Sequence, residues 1–206
     1  SNGRSCSHEA QELAKAIARE STRRLNEDGP EAKEALSRDI AQIIWSLGIL
    51  QADNYHLADS LVLLVDAFAS YASRNGMEEQ FRAWSCADIV QVALSLAHAR
   101  LDQLPMLRLL YAEALNRLDS DKLAQSSSNS EDRRNFLAWE LSILLWAQAR
   151  LHFTSANGEA FHAFSRKVVM SINNALKQGL SFSDIGVGPQ EQANIAWSLT
   201  VLELYD

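Results

Sequence analysis

The stretch of sequence that decides the fold is PQEQANIAWSL, which occupies residues 189–199. It places a proline at a helix entrance and an acid in the first turn, and then continues into an apolar block with one tryptophan. The same layout, with an acid six positions before a large apolar residue, occurs three times upstream. These upstream copies are DIAQIIWSL at 39–47, DIVQVALSL at 88–96 and ELSILLWA at 140–147.

The four copies recur at a nearly constant period. Their large apolar residues lie 49, 52 and 51 residues apart, at Trp45, Leu94, Trp146 and Trp197. Several copies at such a period are typical of a helical repeat array, because one repeat cannot bury its apolar face alone. We therefore predict an all-α fold, namely an α-solenoid of antiparallel helix pairs with about four repeats of roughly 50 residues.

Composition and charge restrict the class of protein. Hydrophobic residues make up 47% of the 206 residues and charged residues 22%, as in an ordinary globular protein. The scarcity of glycine (8) and proline (3) suits long helices joined by short turns. The net charge of −7 opposes a generally basic surface that coats nucleic acid. No apolar run approaches the ~20 residues needed to cross a bilayer, so we predict no membrane insertion.

The chain termini and cysteines bear on cellular location. Cys6 and Cys86 form neither a CxxC pair nor a disulfide framework, so a reducing compartment is expected. Residues 1–7 lack an initiator methionine and any acid, and we predict a disordered stub. The stub is either the edge of an expressed segment or the remnant of a removed targeting peptide. Because Asp206 directly follows the first helix of a repeat, we expect the chain to be a segment of a longer protein.

Apolar residues at spacings of three and four predict helices throughout residues 8–206, which we assign to a single helical repeat domain. The pattern predicts eight helices. The second helix is expected to be interrupted and to start again at Ser37, whose hydroxyl is a candidate N-cap. It is then expected to end near Ala52. Residues 119–134 are rich in serine and show no apolar period, so we predict a flexible insertion there.

The repeat resembles the octotricopeptide repeat and, more broadly, the helical repeats of FAST kinase-like and RAP-domain proteins. That family repeats a Pro-Gln-acid-Leu-Ala-Asn-x-Leu-Trp-Ala-Leu-Ala core, and residues 189–199 are the most similar copy. Residues 36–47, LSRDIAQIIWSL, are nearly as similar. The second copy has Leu94 in place of the tryptophan, and the third has Ile143 where the family prefers an amide.

The resemblance implies a helical-repeat protein of mitochondria or chloroplasts, in the matrix or stroma. Such a protein would bind RNA, a ribonucleoprotein or the organellar ribosome in RNA stability, processing or translation. The resemblance also allows a second function, a protein-binding scaffold or structural subunit of a large organellar complex. The acidic net charge favours the scaffold, and the repeat motif favours RNA. The nuclease-like RAP module is not visible in the sequence.

A polar strip is the candidate binding surface. Positions i, i+4 and i+7 of each repeat's first helix share one side of that helix, and three copies carry an amide first and a hydroxyl second. On a solenoid such a strip could read bases one repeat at a time, or its amides could form repeat-stabilising hydrogen bonds to neighbouring backbone. The candidate RNA-binding residues are Gln42, Ser46, Gln91, Ser95, His98, Arg150, Asn194 and Ser198.

The tryptophans have two interpretations. Trp45, Trp146 and Trp197 are expected to pack between repeats, and the alternative is that they stack on bases.

Catalysis has little support, since the five histidines show no HExxH spacing and the chain has no Gly-rich phosphate loop or GxSxG motif. We therefore predict no enzymatic activity, no catalytic residue, no metal, no cofactor and no small-molecule substrate.

Overall fold

The computed structural model describes residues 3–27, 30–53, 55–75, 80–81, 84–120, 136–153 and 158–204. These residues form eight α-helices, one short 3-10 helix (Tyr55–Leu57) and no strand, so the all-α prediction is confirmed. The helices are α1 (Gly3–Glu27), α2 (Pro30–Asp53), α3 (Ala58–Asn75), α4 (Cys86–Ala99), α5 (Leu104–Ser120), α6 (Ala138–Arg150), α7 (Glu159–Lys177) and α8 (Pro189–Val201).

The helices pack in two rows. In the even-numbered row, α2 packs on α4, α4 on α6 and α6 on α8, and in the odd-numbered row α1, α3, α5 and α7 follow one another in the same way. The rows also touch each other, for example where α1 meets α2 and where α4 meets α5. The four copies of the sequence motif lie on the even-numbered helices, so sequence repeats and spatial neighbours coincide.

The core lies between the rows and runs continuously from α1 to α8. Large aromatic side chains occupy its centre. Trp84 stacks on Phe68 with ring centroids 5.2 Å apart, and Tyr111 contacts Phe161 and Phe164 at 5.0 and 5.1 Å. Burying such rings against one another contributes more than their area alone, because aromatic pairs also attract through their quadrupoles.

The sequence repeat is also a repeat of the backbone. The residues after α4, α6 and α8 include Arg100, His152 and Glu203, which all have φ 55° and are spaced by 52 and 51 residues. Non-glycine residues seldom adopt this left-handed conformation. In each case the next N–H donates to a carbonyl five residues earlier, which is the Schellman arrangement. These bonds are Leu101 to Leu96 (2.9 Å), Phe153 to Gln148 (3.1 Å) and Leu204 to Leu199 (3.0 Å).

The acid that opens two of the copies caps its helix. At α4, the Asp88 carboxylate accepts from the Ser85 backbone N–H at 2.7 Å, and the Ser85 hydroxyl accepts from the Asp88 N–H at 3.2 Å. At α6, Glu140 accepts from the Leu137 N–H at 2.7 Å. Both satisfy donors that a helix start would leave unpaired. The acid therefore has a structural role in these copies.

Several boundaries differ from the sequence expectations. Helix α2 is continuous from Pro30 to Asp53, so the expected new start at Ser37 is wrong; no breaking residue interrupts the turn there. Helix α1 begins at Gly3, inside the segment predicted to be a disordered stub, and α5 extends to Ser120. The rest of the predicted insertion, 121–134, lies outside the described residues. Among the helices described, none is both long and apolar enough to span a membrane.

Candidate nucleic-acid interface

The amides of the predicted strip lie at the surface of the even-numbered row. Gln42 is exposed and Gln91 is half-buried, and the Gln42 Nε2 donates to Gln91 Oε1 at 2.8 Å. The same nitrogen is 3.3 Å from Asp88 Oδ1. In α8, Asn194 is half-buried and its Oδ1 accepts from Gln190 Nε2 at 3.1 Å. The amides thus join neighbouring side chains and keep part of their surface open to solvent.

The serines of the strip divide into two groups. Ser46 is exposed, whereas Ser95 and Ser198 are completely buried. The Ser95 hydroxyl donates to the Ile44 carbonyl of α2 at 3.0 Å, and the Ser198 hydroxyl donates to the Asn194 carbonyl at 2.6 Å. A ligand cannot reach either hydroxyl in this packing. Both hydroxyls bond to backbone carbonyls, a pairing that the sequence had led us to expect of the amides, whose observed partners are side chains. These two serines are therefore not candidate contacts.

Gly48 explains why Ser95 is buried. A Cβ atom built on Gly48 would lie 1.6 Å from the Ser95 hydroxyl oxygen, so only glycine allows α2 and α4 to approach this closely. One and two periods later this position holds Ala97 and Ala149, which are also small and fully buried. Small residues at this position in α2, α4 and α6 thus accompany buried i+4 residues in the helices that follow, namely Ser95, Ala147 and Ser198.

An aromatic ladder occupies the surface next to the amides. The ring of His98 in α4 lies 5.3 Å from that of Trp146 in α6, and Trp146 lies 6.4 Å from Trp197 in α8. His98 is exposed, Trp146 is half-buried against the core, and Trp197 is 41% exposed. Trp146 packs between neighbouring repeats, as the packing interpretation predicts, and still keeps part of its ring at the surface.

The surface strip therefore follows positions i, i+3 and i+7. The expected spacing was i, i+4 and i+7, so the middle position differs by one residue. We define the aromatic–amide strip as Gln42, Gln91, His98, Trp146, Arg150, Asn194 and Trp197. The remaining candidate, Ser46, is exposed but occupies the i+4 position and is not part of this strip. Trp146 and Trp197 were missed as surface residues because a tryptophan in an apolar block was expected to face the core. One feature of the sequence could have indicated that this position is at the surface. An amide lies three residues before each of the aligned positions 45, 94 and 197, on the same side of the helix.

Positive charge is sparse along the strip. Arg150 ends α6 and Arg100 follows α4, and both are exposed. Arg166 and Lys167 lie on α7, in the odd-numbered row. A separate cleft of about 510 Å³ lies between α1 and α3 and is lined in part by Lys15, Arg19 and Arg23. Two of its cations are engaged, since Lys15 pairs with Glu12 and Arg23 with Glu20, each at 2.9 Å.

Among the described side chains, one thiol, that of Cys86, has a strongly raised pKa. Cys86 is buried, and burial raises its pKa to about 11, although the Arg117 guanidinium 3.7 Å from the sulfur opposes the shift. Such a thiol carries little thiolate at neutral pH and is a poor nucleophile. Within the described ranges, no three His, Cys, Asp or Glu side chains are grouped so that they could hold a metal ion.

The chain matches no protein-family model, no curated protein and no solved structure. The assignment of a function therefore depends on the strip and on the resemblance of the repeat motif.

Proposed function

We propose that the two rows constitute an α-solenoid of antiparallel helix pairs of the octotricopeptide type, and that the protein is a non-catalytic RNA-binding protein of mitochondria or chloroplasts. Its ligand is organellar RNA, free or within the ribosome, and its role lies in RNA stability, processing or translation. The single observation that carries the proposal is the partly exposed ladder of His98, Trp146 and Trp197 beside the surface amides.

The ladder offers the chemistry that single-stranded RNA requires. Unpaired bases stack on aromatic rings, and each stacked base contributes about 1–3 kcal/mol of binding free energy. The neighbouring amides Gln42, Gln91 and Asn194 can both donate to and accept from base edges. Arg150 ends α6 close in sequence to Trp146 and can pair with a phosphate. A duplex, whose bases are already stacked, would leave the rings unused.

The acidic composition sets how binding should depend on salt. A chain with net charge −7 and few cations along its strip neutralises few phosphates. Each neutralised phosphate contributes about −0.7 to the slope of log K against log salt for a single strand. We expect a shallow slope, about −1 to −2, because stacking rather than counterion release supplies most of the affinity.

The test is an anisotropy titration of labelled single-stranded RNA at about 20 and about 200 mM salt. Trp197→Ala should weaken binding by about 1–3 kcal/mol, because Trp197 is the more exposed of the two tryptophans in the ladder. Trp139→Ala is the matched control. Trp139 is also a surface tryptophan of the even-numbered row, 40% exposed, but it lies outside the strip. Equal losses in both variants would contradict stacking on the ladder.

The second candidate function is a scaffold or structural subunit of a large organellar complex. It is favoured by the acidic charge and by several exposed large hydrophobic side chains, including Leu13 (63%) and Leu63 (61%). If the unmodified chain binds no RNA even at the lower salt concentration, the RNA proposal fails and the scaffold is left.

A further inference from the structure

The cleft of about 510 Å³ between α1 and α3 has a cationic wall, and we call it the basic cleft. Lys15, Arg19, Thr22 and Arg23 of α1 line this wall. Positions 15, 19 and 23 are four residues apart, so they lie along one side of the helix. Three cationic side chains are thus concentrated here in a chain whose net charge is −7. Small-molecule sites have volumes of roughly 300–1,000 Å³, so the cleft is large enough to be one.

The opposite wall combines polar groups with an apolar surface. It belongs to the short 3-10 helix and to α3, and its members are His56, Asp59, Ser60 and Leu63. The 3-10 helix is held in place, because the Leu57 N–H donates to the Oε1 of the buried Gln51 at 2.8 Å. Leu63 is 61% exposed, so the cleft offers an apolar contact beside its polar groups.

The hydroxyl of Thr22 has no hydrogen-bond partner. Its oxygen is buried, and no other buried side-chain N or O atom within the described residues lacks a partner. A buried hydroxyl in this condition costs free energy, because it has lost water and gained nothing in return. A helical threonine has two accessible χ1 rotamers, so a rotation can turn the hydroxyl towards a ligand in the cleft. An anionic oxygen there would supply the missing acceptor.

The paired cations of the cleft can exchange partners at little cost. Lys15 pairs with Glu12 and Arg23 with Glu20, each at 2.9 Å, and the two carboxylates have side-chain exposures of 51% and 46%. Ion pairs this exposed contribute little to stability, since solvent screens them. Glu20 also pairs with Arg24 at 2.9 Å, so it keeps a partner when Arg23 turns to a ligand.

Arg19 is the cation most available to a ligand. Its side chain is exposed, and it forms no ion pair with any described carboxylate. A guanidinium presents parallel N–H donors that match two oxygens of a phosphate. The available arginine and the unpartnered hydroxyl lie on the same wall, three residues apart in α1.

We propose that the basic cleft binds a hydroxylated organic phosphate monoester, a class that includes sugar phosphates and nucleoside monophosphates. Arg19 and the Thr22 hydroxyl hold the phosphate, and Lys15 and Arg23 flank it. The proposal does not depend on RNA binding, because the cleft lies in the odd-numbered row and the aromatic–amide strip in the even-numbered row.

The opposite wall selects the rest of the ligand. Asp59 and Ser60 accept hydrogen bonds from ligand hydroxyls, and Leu63 covers the carbon skeleton. The cleft wall has three cationic side chains against one anionic side chain, so it carries two positive charges. One phosphate monoester, with a charge of about −1.5 to −2 at pH 7, neutralises them. A second phosphate would meet the Asp59 carboxylate, which repels it.

Isothermal titration calorimetry of the full chain with ribose 5-phosphate at about 20 mM salt tests the proposal. We expect a Kd below about 1 mM, no measurable binding of ribose, and binding of inorganic phosphate that is weaker by about tenfold or more. Adenosine monophosphate is the second probe, and the tighter of the two esters shows whether the ligand carries a base. The monophosphate should bind more tightly than adenosine diphosphate, and the reverse order would contradict the assignment of Asp59.

Two variants test the phosphate contacts. Arg19→Gln should weaken the binding of the ester about tenfold or more, because a charge-assisted pair is lost. Arg74→Gln is the matched control: it removes the same charge from an exposed position of α3 outside the cleft, where Arg74 Nε donates to the Ser70 carbonyl at 3.1 Å. Thr22→Val should weaken binding several-fold and leave the ligand-free chain at least as stable, since it removes an unpartnered hydroxyl.

Three results would overturn the proposal. The first is an unmodified chain that binds neither ester. The second is equal losses in Arg19→Gln and Arg74→Gln, which would attribute binding to general charge. The third is binding that only an RNA with a 5′-phosphate shows and that Arg19→Gln abolishes, since the cleft would then recognise the end of an RNA and not a small molecule. Circular dichroism checks that every variant is folded.

Discussion

At the scale of single residues, the contact between Gly48 and Ser95 sets how α2 meets α4. The Ser95 hydroxyl occupies the space that a side chain at position 48 would need. Gly48→Ala should destabilise the fold by about 1–3 kcal/mol, since overpacking outweighs the ~1 kcal/mol that alanine gains over glycine within a helix. Urea unfolding measures the difference. A variant as stable as the unmodified chain would show that the helices separate freely at this point.

The same contact should show coupling between the two positions. Gly48→Ala combined with Ser95→Ala reproduces the residue types at the aligned positions of the next repeat, Ala97 and Ala147. The double variant should be more stable than Gly48→Ala alone, because removing the hydroxyl relieves the closest overlap. Part of the loss should remain, since the Ser95 Cβ would still lie 2.9 Å from the new methyl group. Strict additivity of the two changes would contradict this coupling.

At the scale of helices, Tyr111 connects the two rows. Its hydroxyl donates to the Leu144 carbonyl of α6 at 2.6 Å, and the side chain is completely buried in α5. Burial raises the pKa of this phenol well above its ordinary value, so the group stays protonated and donates at all working pH values. Tyr111→Phe should cost about 1–2 kcal/mol, because the ring is retained and the buried hydrogen bond is lost. An unchanged urea midpoint would contradict this role.

The helices themselves could be predicted from the sequence, and their ends and rotations could not. The apolar spacing and the 49–52 residue period located all four even-numbered helices. The left-handed caps at Arg100, His152 and Glu203 carry no glycine, so no local signal marked them. Ser46 and Ser95 are the same residue type at the same position of two repeats, yet one is exposed and the other buried. Their difference depends on which neighbouring helix is present, which local sequence does not encode.

At the scale of the whole molecule, the row arrangement links the fold to the proposed function. The small residues at positions 48, 97 and 149 draw the even-numbered helices together, and this packing brings His98, Trp146 and Trp197 into one ladder. The sequence could predict a surface strip along these helices but misplaced its centre by one residue. Neighbouring residues in a helix point about 100° apart around its axis. Which of them faces solvent depends on how the helix is rotated against its neighbours, and packing between helices decides that rotation.

The most direct test of the central claim is photo-cross-linking of the unmodified chain to single-stranded RNA that contains 4-thiouridine, with the modified peptides identified by mass spectrometry. We expect cross-links in α4, α6 and α8, at or next to His98, Trp146 and Trp197. Cross-links confined to the cleft between α1 and α3, or cross-links that a non-thiolated RNA does not displace, would contradict binding along the aromatic–amide strip.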